Sequence, residues 1–455
     1  MPDTIAMDLR QPLSRLAGSL VPALCRIPSD LTGLISVAEE EVPAQAAGVS
    51  PEAVERVWKH VEALYRTGAY PALQICIRCE GQVLLERALG HASGNGPNDA
   101  PEAPKRPATV DTRFNLFSAA KAITAMVIHK LDEKRALHLE DRVCDFIPEF
   151  GRYGKDRITI HHILAHRAGI PNLPPGAMDL DLLQTPERVI ELLCEARPRT
   201  RPGRMVAYHA VSGGFILAEV VQRATGSSIR EVFEKEIALP LGLHRTSYGV
   251  HPRDVDQVAV NVATGPPVPP PLSWILRGAL GVGVREAVEL SNDPRFLTSI
   301  IAAANVVTTA GELAAFYDCL LGEGRLGDVR VFDPRTVRHA TSEQNYWELD
   351  LTLGLPIRYG LGFMLGSEGP SLFGWNNPRA FGHVGFTNVL SWADPQRRLA
   401  VALLTSGKPI LGPHVVRLVQ LMVEVGRAFP KLCGSGTGRR RFLDRTPSSR
   451  ISGAA

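Results

Sequence analysis

A serine and a lysine stand three residues apart where an apolar helical pattern begins. Ser118 and Lys121 lie in Phe117-Ser118-Ala119-Ala120-Lys121, the only S-x-x-K of a 455-residue chain that has nine lysines. The pattern continues to Leu137, so both side chains are expected on one face of the first helical turn. The positive end of the helix dipole would favour an anion there. The spacing predicts Ser118 as a nucleophile and Lys121 as its proton-transfer partner.

A tyrosine precedes a second helical pattern further along the chain. Tyr208 ends the segment Pro202-Gly203-Arg204-Met205-Val206-Ala207-Tyr208. A loop tyrosine is commonly only a surface residue. Beside Lys121 in a cleft, it could instead ionise near neutral pH. Lowering a phenol pKa from about 10 to about 7 requires roughly 4 kcal/mol, which a close ammonium in a partly desolvated site can supply.

A glycine-flanked histidine opens the strand pattern near the C-terminus, in Phe381-Gly382-His383-Val384-Gly385-Phe386. A glycine beside a strand lets a ligand approach the backbone, so His383 and Gly385 are candidate substrate-binding residues. A β-bulge and a hydrogen-bonded core histidine are the alternative interpretations.

Together, in their order and spacing, these three segments resemble the serine β-lactamase-like superfamily. That superfamily holds class C β-lactamases, D-alanyl-D-alanine peptidases and family VIII carboxylesterases. The segments 160–170 and 305–310 also look like the family's, and the resemblance covers about 55–430. It implies acyl transfer by Ser118, with Lys121 and Tyr208 moving protons. It also implies an oxyanion hole formed by the backbone N–H groups of Ser118 and Phe386.

Two departures from the β-lactamase pattern favour the esterase branch. The family's asparagine two residues after the tyrosine is Ala210 here, and the lysine that opens its third motif is His383. The expected substrate is therefore a small-molecule ester, with no cofactor, metal or nucleic acid. An acyltransferase, a D-amino-acid peptidase or weak β-lactamase on the same scaffold, and a non-catalytic binding homologue remain alternatives.

Other site types have weaker support. His162 and His166 have metal-ligand spacing on an expected helix, but no glutamate follows His162. Cys76 and Cys79 form a C-x-x-C in an expected strand, where an odd offset places the thiols on opposite faces. The chain contains no G-x-S-x-G or P-loop motif. These observations argue against a zinc site, an α/β-hydrolase elbow and a nucleotide site.

The elements that must position the motifs begin with a helix capped by Ser50-Pro51. Strands are expected at 72–79, 83–89, 380–392 and 399–404, with a last helix at 412–428. The proline-rich segment 265–271 is expected to be a stiff loop or flap. The pattern predicts an α/β protein of the α+β type, an antiparallel sheet flanked by helices with an inserted, mostly helical subdomain, as in β-lactamases and transpeptidases.

The predicted organisation is an N-terminal extension 1–50, a catalytic domain 51–430 with the subdomain inserted at roughly 138–375, and a disordered tail 431–455. The formal charge of +3 gives no support for nucleic-acid binding. No run of eighteen apolar residues is present. The seven cysteines are dispersed and odd in number, and the N-terminus has no convincing signal peptide. Both observations favour the cytoplasm. Leucines recurring over residues 9–24 allow peripheral membrane contact. The oligomeric state is not predicted.

Overall fold

The computed structural model describes residues 22–173 and 179–432. Nearly all of the leucine pattern at 9–24, and the predicted tail from residue 433, lie outside these ranges. Within them, no helix is long and apolar enough to cross a membrane. The domain boundaries given above stay predictions.

An eight-stranded antiparallel sheet forms the centre, in the order β1-β3-β2-β15-β14-β13-β10 with β4 beside β3. Its strands are β1 (Ile35–Val37), β2 (Ala72–Cys79), β3 (Gln82–Ser93), β4 (Arg106–Pro107), β10 (Met364–Leu365), β13 (Phe381–Gly385), β14 (Val389–Asp394) and β15 (Leu399–Thr405). An N-terminal and a C-terminal part of the described chain meet in this sheet, because every residue of β15 pairs with a residue of β2. This confirms the predicted antiparallel sheet, which combines the strands expected at 72–89 with those expected at 380–404.

Three smaller sheets accompany it. The strands β5 (Phe114–Asn115), β6 (Ser247–Tyr248) and β7 (Val306–Thr308) form one of them, in the order β5-β7-β6. The others are two-stranded ribbons, β8 (Arg325–Leu326) with β9 (Val329–Arg330) and β11 (Pro370–Ser371) with β12 (Gly374–Trp375). Because β5 leads directly into the Ser118 segment, the three-stranded sheet positions the candidate nucleophile.

Helices cover both faces of the central sheet and fill the middle of the chain. They are α1 (Pro51–Tyr65), α2 (Ala120–Glu133), α3 (Val143–Phe146), α4 (Ile160–Leu164), α5 (Leu180–Leu183), α6 (Pro186–Glu195), α7 (Ser212–Thr225), α8 (Ile229–Phe233), α9 (Leu239–Leu241), α10 (Leu272–Leu280), α11 (Val284–Leu290), α12 (Pro294–Thr298), α13 (Ala310–Leu321), α14 (Pro334–Ala340) and α15 (His414–Ala428). Short 3-10 turns occur at Thr32–Leu34, Ala44–Ala47, Phe117–Ala119, Pro148–Gly154 and Pro252–Gln257, and a π-helical turn at Glu234–Ala238.

The sheet separates two apolar cores. The first and last helices, α1 and α15, pack together on one face, and α13 packs on β2, β14 and β15 from the other. Cys76 belongs to the α13 core and Cys79 to the α1 core. The prediction that these thiols lie on opposite faces of a strand is therefore confirmed, since alternate strand residues point to opposite sides.

Several local predictions are confirmed. Ser50 caps α1, its hydroxyl accepting a hydrogen bond from the Ala53 amide at 3.2 Å. The hairpin of β2 and β3 and the last helix lie close to their predicted limits. The proline-rich segment 265–271 contains neither helix nor strand, and α10 begins directly after it.

Two local predictions are wrong. The single strand expected at 380–392 is two strands joined by a turn at 386–388, where Asn388 takes a left-handed φ of 63°. His162 and His166 do not share a helix, because α4 ends at Leu164 and His166 has a φ of 56°. In the described ranges, no group of three His, Cys, Asp or Glu side chains could hold a metal ion.

Candidate active site

The candidate nucleophile sits on a strained turn between β5 and α2. Phe117, directly before Ser118, has a left-handed φ of 48°, which is unfavourable by about 1–2 kcal/mol for a non-glycine residue. Its amide donates a 3.3 Å hydrogen bond to the Asn115 side chain, and its ring packs edge-on against Phe386, with 5.6 Å between ring centroids. These contacts hold the turn in the conformation that presents Ser118.

Lys121 lies one turn further on and is buried. Its Nζ is 3.1 Å from the Ser118 Oγ, 2.7 Å from the Ala210 carbonyl oxygen and 3.1 Å from the Ala303 carbonyl oxygen. A neutral amine has two N–H donors and one lone pair. The two carbonyls can take both donors, which leaves the lone pair to accept the hydroxyl proton of Ser118.

Hydrogen bonds hold the segment that carries the Ala210 carbonyl and the Tyr208 phenol. The Tyr208 amide donates a 3.1 Å hydrogen bond to the Asp350 carboxylate, and the neighbouring Ala207 amide donates one of 2.9 Å to the His166 carbonyl. The Tyr208 ring contacts the His166 ring at a tilt of 55°, with 4.8 Å between the ring centroids. The Lys121 ammonium nitrogen lies 4.8 Å from the Tyr208 ring centroid. Ser118, Lys121 and Tyr208 are thus brought together.

Burial reverses the order of acidity expected from the sequence. It lowers the pKa of Lys121 from 10.5 to about 7. Burial also raises the pKa of the Tyr208 phenol well above its usual value of 10, although a side-chain hydrogen bond with Ser118 opposes this. The expectation that Lys121 drives Tyr208 to ionise near neutral pH is wrong, because desolvation outweighs the attraction of a lysine that is itself readily deprotonated. The amine is the more available proton acceptor.

The third motif packs against the nucleophile's turn. A Cβ on Gly385 would lie 2.2 Å from the Leu116 carbonyl oxygen, so only glycine lets β13 approach so closely. Phe386 follows β13 directly, and no backbone hydrogen bond from its amide is found among the described loops and turns. The approach of Gly385 to Leu116 and the ring contact of Phe386 with Phe117 place the start of the turn at 386–388 next to the Ser118 turn. The Phe386 amide as an oxyanion donor stays a prediction. A substrate contact for Gly385 stays a prediction.

His383 is buried on β13, with its ring centroid 6.3 Å from that of Tyr208. Its Nδ1 is 2.8 Å from the Val384 carbonyl oxygen. Burial, then repulsion from Lys121, lowers the pKa of His383 to about 3. The ring is therefore neutral at physiological pH, and it can shape the pocket or make a hydrogen bond without adding charge.

Two residues of the site were missed by the sequence reasoning. His166 was considered only as a metal ligand, whereas its ring contacts that of Tyr208 and accepts a 3.3 Å hydrogen bond from the His209 amide. Asp350 was not singled out, although it is buried and accepts bonds from four donors: the amides of Tyr208, Thr352 and Leu353 and the hydroxyl of Tyr359. The only local signal for Asp350 is its residue type, because aspartate side chains commonly accept a hydrogen bond from the backbone amide two residues later in an Asx turn.

Comparisons with known proteins identify the family of this chain. Residues 57–421 match the protein family described as Beta-lactamase. The chain belongs to the beta-lactamase family. The resemblance found in the sequence motifs is thereby confirmed, and so is the predicted fold class.

Proteins with different names are similar to this chain. "Esterase/beta-lactamase LipL" of Mycobacterium tuberculosis is 30% identical over 66% of this chain and 70% of its own length. A penicillin-binding protein homologue from Caulobacter crescentus is 25% identical, with a TM-score of 0.68 over 83% of this chain and 98% of that one. A family VIII carboxylesterase is 24% identical, with a TM-score of 0.71 over 84% and 99%. The chain is thus a β-lactamase-like hydrolase with esterases among its relatives.

Proposed function

We propose that this protein hydrolyses carboxylic esters of small molecules through an acyl-enzyme on Ser118. The observation that carries the proposal is the buried Lys121 amine, 3.1 Å from the Ser118 hydroxyl with two carbonyls beside it. A lysine in this setting can take a proton near neutral pH, which is what a serine nucleophile requires. The esterase relatives support the same substrate class.

The first half-reaction transfers the acyl group to the protein. Lys121 accepts the hydroxyl proton while the Ser118 oxygen adds to the ester carbonyl. The carbonyl oxygen becomes an anion, stabilised by the backbone N–H groups of Ser118 and Phe386, each worth roughly 3–4 kcal/mol. When the C–O bond breaks, the Tyr208 hydroxyl donates its proton to the leaving alcohol and recovers one from Lys121.

The second half-reaction reverses these roles. Water loses a proton to the Lys121 and Tyr208 pair as its oxygen adds to the acyl carbonyl. The tetrahedral intermediate collapses, the Ser118 oxygen leaves and takes the proton back, and the carboxylic acid is released. Tyr208 remains protonated between turnovers because burial raises its phenol pKa, so it serves best as a proton relay adjacent to the amine.

A fluorophosphonate probe followed by peptide mapping tests the nucleophile. A covalent adduct on Ser118 is expected, absent in Ser118→Ala and formed far more slowly in Lys121→Ala. Labelling of another residue, or none in a folded protein, would refute the proposal.

The substrate class is tested separately with a panel of chromogenic substrates. Nitrophenyl acetate or butyrate should be hydrolysed much faster than a chromogenic cephalosporin or a peptide ending in D-alanyl-D-alanine. Ala210 and His383 are the reason for this order. Ala210 lacks the side-chain amide, and His383 the lysine cation, that the β-lactamase pattern has at these two positions. The reverse order would favour a β-lactamase or peptidase, and an alcohol acceptor that diverts the acyl group would identify an acyltransferase.

A further inference from the structure

A large cavity lies next to the chain segment that follows β15, and basic side chains line it. It has a volume of about 830 Å³ and is bordered by the proline-rich segment 265–271, by α10 and α11, and by the chain after β15. Arg277, Arg285 and Lys408 line it, and no aspartate or glutamate is among its described lining residues. We refer to it as the basic cavity. Glu286, next to Arg285, turns its carboxylate to the Gly283 amide.

Lys408 is the buried member of this group. It is 1% exposed, and its Nζ donates a 2.6 Å hydrogen bond to the Thr405 carbonyl. A lysine ammonium has three donors, and this carbonyl is the one acceptor found for it among the described residues. Burial lowers the pKa of Lys408 to about 7. A bound anion would satisfy the remaining donors and offset the unfavourable burial of the charge.

Phe117 connects Lys408 to the reacting groups. The Lys408 Nζ lies 4.7 Å from the Phe117 ring centroid, and the same ring packs against Phe386. Phe117 directly precedes Ser118 in the chain. Only one aromatic ring therefore separates the amine from the turn that carries the nucleophile and from the candidate oxyanion amide. An ester bound at Ser118 that carries a second group would place that group toward the basic cavity across the Phe117 ring.

The rest of the lining suits the carbon chain of such a substrate. Pro266, Trp274 and Ile410 contribute apolar surface between the charged groups. Arg277 and Arg285 are exposed at the rim, where a guanidinium can bind a carboxylate through two parallel hydrogen bonds. A neutral polar ligand would leave all three cations without a counter-charge, so the combination favours an anion on an apolar stem.

We propose that the basic cavity binds a carboxylate carried by the ester substrate, with Lys408 at its inner end and the two arginines at its rim. This inference rests on the proposed ester hydrolysis and specifies its substrate class. The carboxylate is a part of the acyl chain, as in a hemiester of a dicarboxylic acid, or of the alcohol. The two positions share the same chemistry and are distinguished by experiment.

Matched ester pairs test the proposal. The acyl arm compares mono-4-nitrophenyl glutarate with 4-nitrophenyl butyrate, and the alcohol arm compares 4-acetoxybenzoate with its methyl ester. In at least one arm, kcat/KM for the acid should exceed that for its neutral partner by tenfold or more. Lys408→Met should reduce this ratio at least tenfold, and the double variant Arg277→Gln/Arg285→Gln about threefold. The ratio is insensitive to a general loss of folded protein.

Arg335→Gln is the matched charge control. It removes an exposed arginine from α14, which does not line the cavity, and should leave the ratio unchanged. The inference is overturned if neither acid is preferred, or if Lys408→Met and the double variant slow both members of a pair equally.

A binding measurement separates this inference from the proposed function. Calorimetry with the Ser118→Ala protein should detect binding of at least one of the two acids, mono-4-nitrophenyl glutarate or 4-acetoxybenzoate, with a weaker or absent signal for its neutral partner. Selective binding that Lys408→Met abolishes supports the basic cavity even if the wild-type protein hydrolyses no ester, in which case only the proposed function fails. Ester hydrolysis by the wild-type protein, without selective binding of either acid by Ser118→Ala, refutes the inference alone.

Discussion

Arginine in place of Lys121 keeps a positive charge at the site but removes the proton acceptor. In the wild-type protein, the pKa of Lys121 falls from 10.5 to about 7. This corresponds to about 5 kcal/mol, at about 1.4 kcal/mol for each factor of ten in proton affinity. A guanidinium remains protonated at every accessible pH. We therefore expect Lys121→Arg to lower kcat/KM for 4-nitrophenyl butyrate by roughly 1,000-fold on the wild-type plateau above pH 8.

The wild-type pH profile follows from the same value. The active form is the neutral amine, so kcat/KM should rise with pH, reach half of its maximum near pH 7 and level off above pH 8. At pH 5 it should be about 100-fold below the plateau, since each pH unit below the pKa reduces the neutral fraction tenfold. Initial rates at constant ionic strength, read at the nitrophenol isosbestic wavelength, measure this profile.

Lys134→Arg is the matched control for Lys121→Arg. Lys134 follows α2, is half-exposed and pairs with Glu236 at 2.6 Å, so the same substitution there should leave both the rate and the profile unchanged. A wild-type profile that is flat between pH 5 and 8 would refute the role given to Lys121. So would a Lys121→Arg variant that keeps more than a tenth of the wild-type rate.

Three further substitutions have definite expected outcomes. Gly385→Ala places a Cβ 2.2 Å from the Leu116 carbonyl oxygen, and should destabilise the protein by about 1–3 kcal/mol in denaturant melts and slow fluorophosphonate labelling of Ser118. Asp350→Asn removes a charged acceptor of four hydrogen bonds, and should lower both the melting temperature and kcat, since the Tyr208 backbone loses its anchor. Lys408→Met should raise the free energy of unfolding at pH 7 by about 2 kcal/mol, because roughly 4 kcal/mol of unfavourable amine burial is removed and one hydrogen bond is lost. That gain is largest at and below pH 7, where the folded-state pKa lies, and disappears as the pH approaches 10.5.

For each of these three substitutions, a specific result would contradict the expectation. Gly369→Ala, where an added Cβ has no neighbour within 4 Å, is the control for Gly385→Ala, and equal losses in both would remove the close-packing explanation. An Asp350→Asn variant with unchanged kcat would show that the Tyr208 segment is held by its other contacts. Lys408→Met that is less stable than the wild type at pH 7 would mean that the amine makes favourable contacts beyond the Thr405 carbonyl.

Short-range patterns account for what could be predicted from the sequence. The spacing of Ser118 and Lys121 lies within one helical turn, and the hairpin of β2 and β3 lies within about twenty residues, so each is encoded locally. The strand expected at 380–392 failed because a three-residue turn with one left-handed asparagine interrupts an otherwise continuous apolar pattern.

Long-range contacts account for what could not be predicted. Asp350 meets Tyr208 across 142 residues, and His166 meets the His209 amide across 43. No periodicity in either segment indicates the other. The error in the acidity of Tyr208 has the same origin, because the sequence identified a neighbouring charge but not the burial that surrounds both groups. Desolvation depends on the whole packed site, and it exceeds the single Coulomb interaction that the sequence suggested.

The buried lysines Lys121 and Lys408 show why a shifted pKa does not by itself assign a role. Burial lowers the pKa of Lys121 and of Lys408 to about 7 alike. Two carbonyls and the Ser118 hydroxyl surround the Lys121 amine. When the carbonyls accept both N–H groups, the lone pair faces the Ser118 hydroxyl and can accept its proton. Lys408 has one carbonyl and borders a cavity with two arginines. A neutral amine suits the first place, and an ammonium with an anionic partner suits the second. An anionic ligand should therefore raise the pKa of Lys408 by supplying the counter-charge, whereas the Lys121 amine must remain deprotonated for the serine to react.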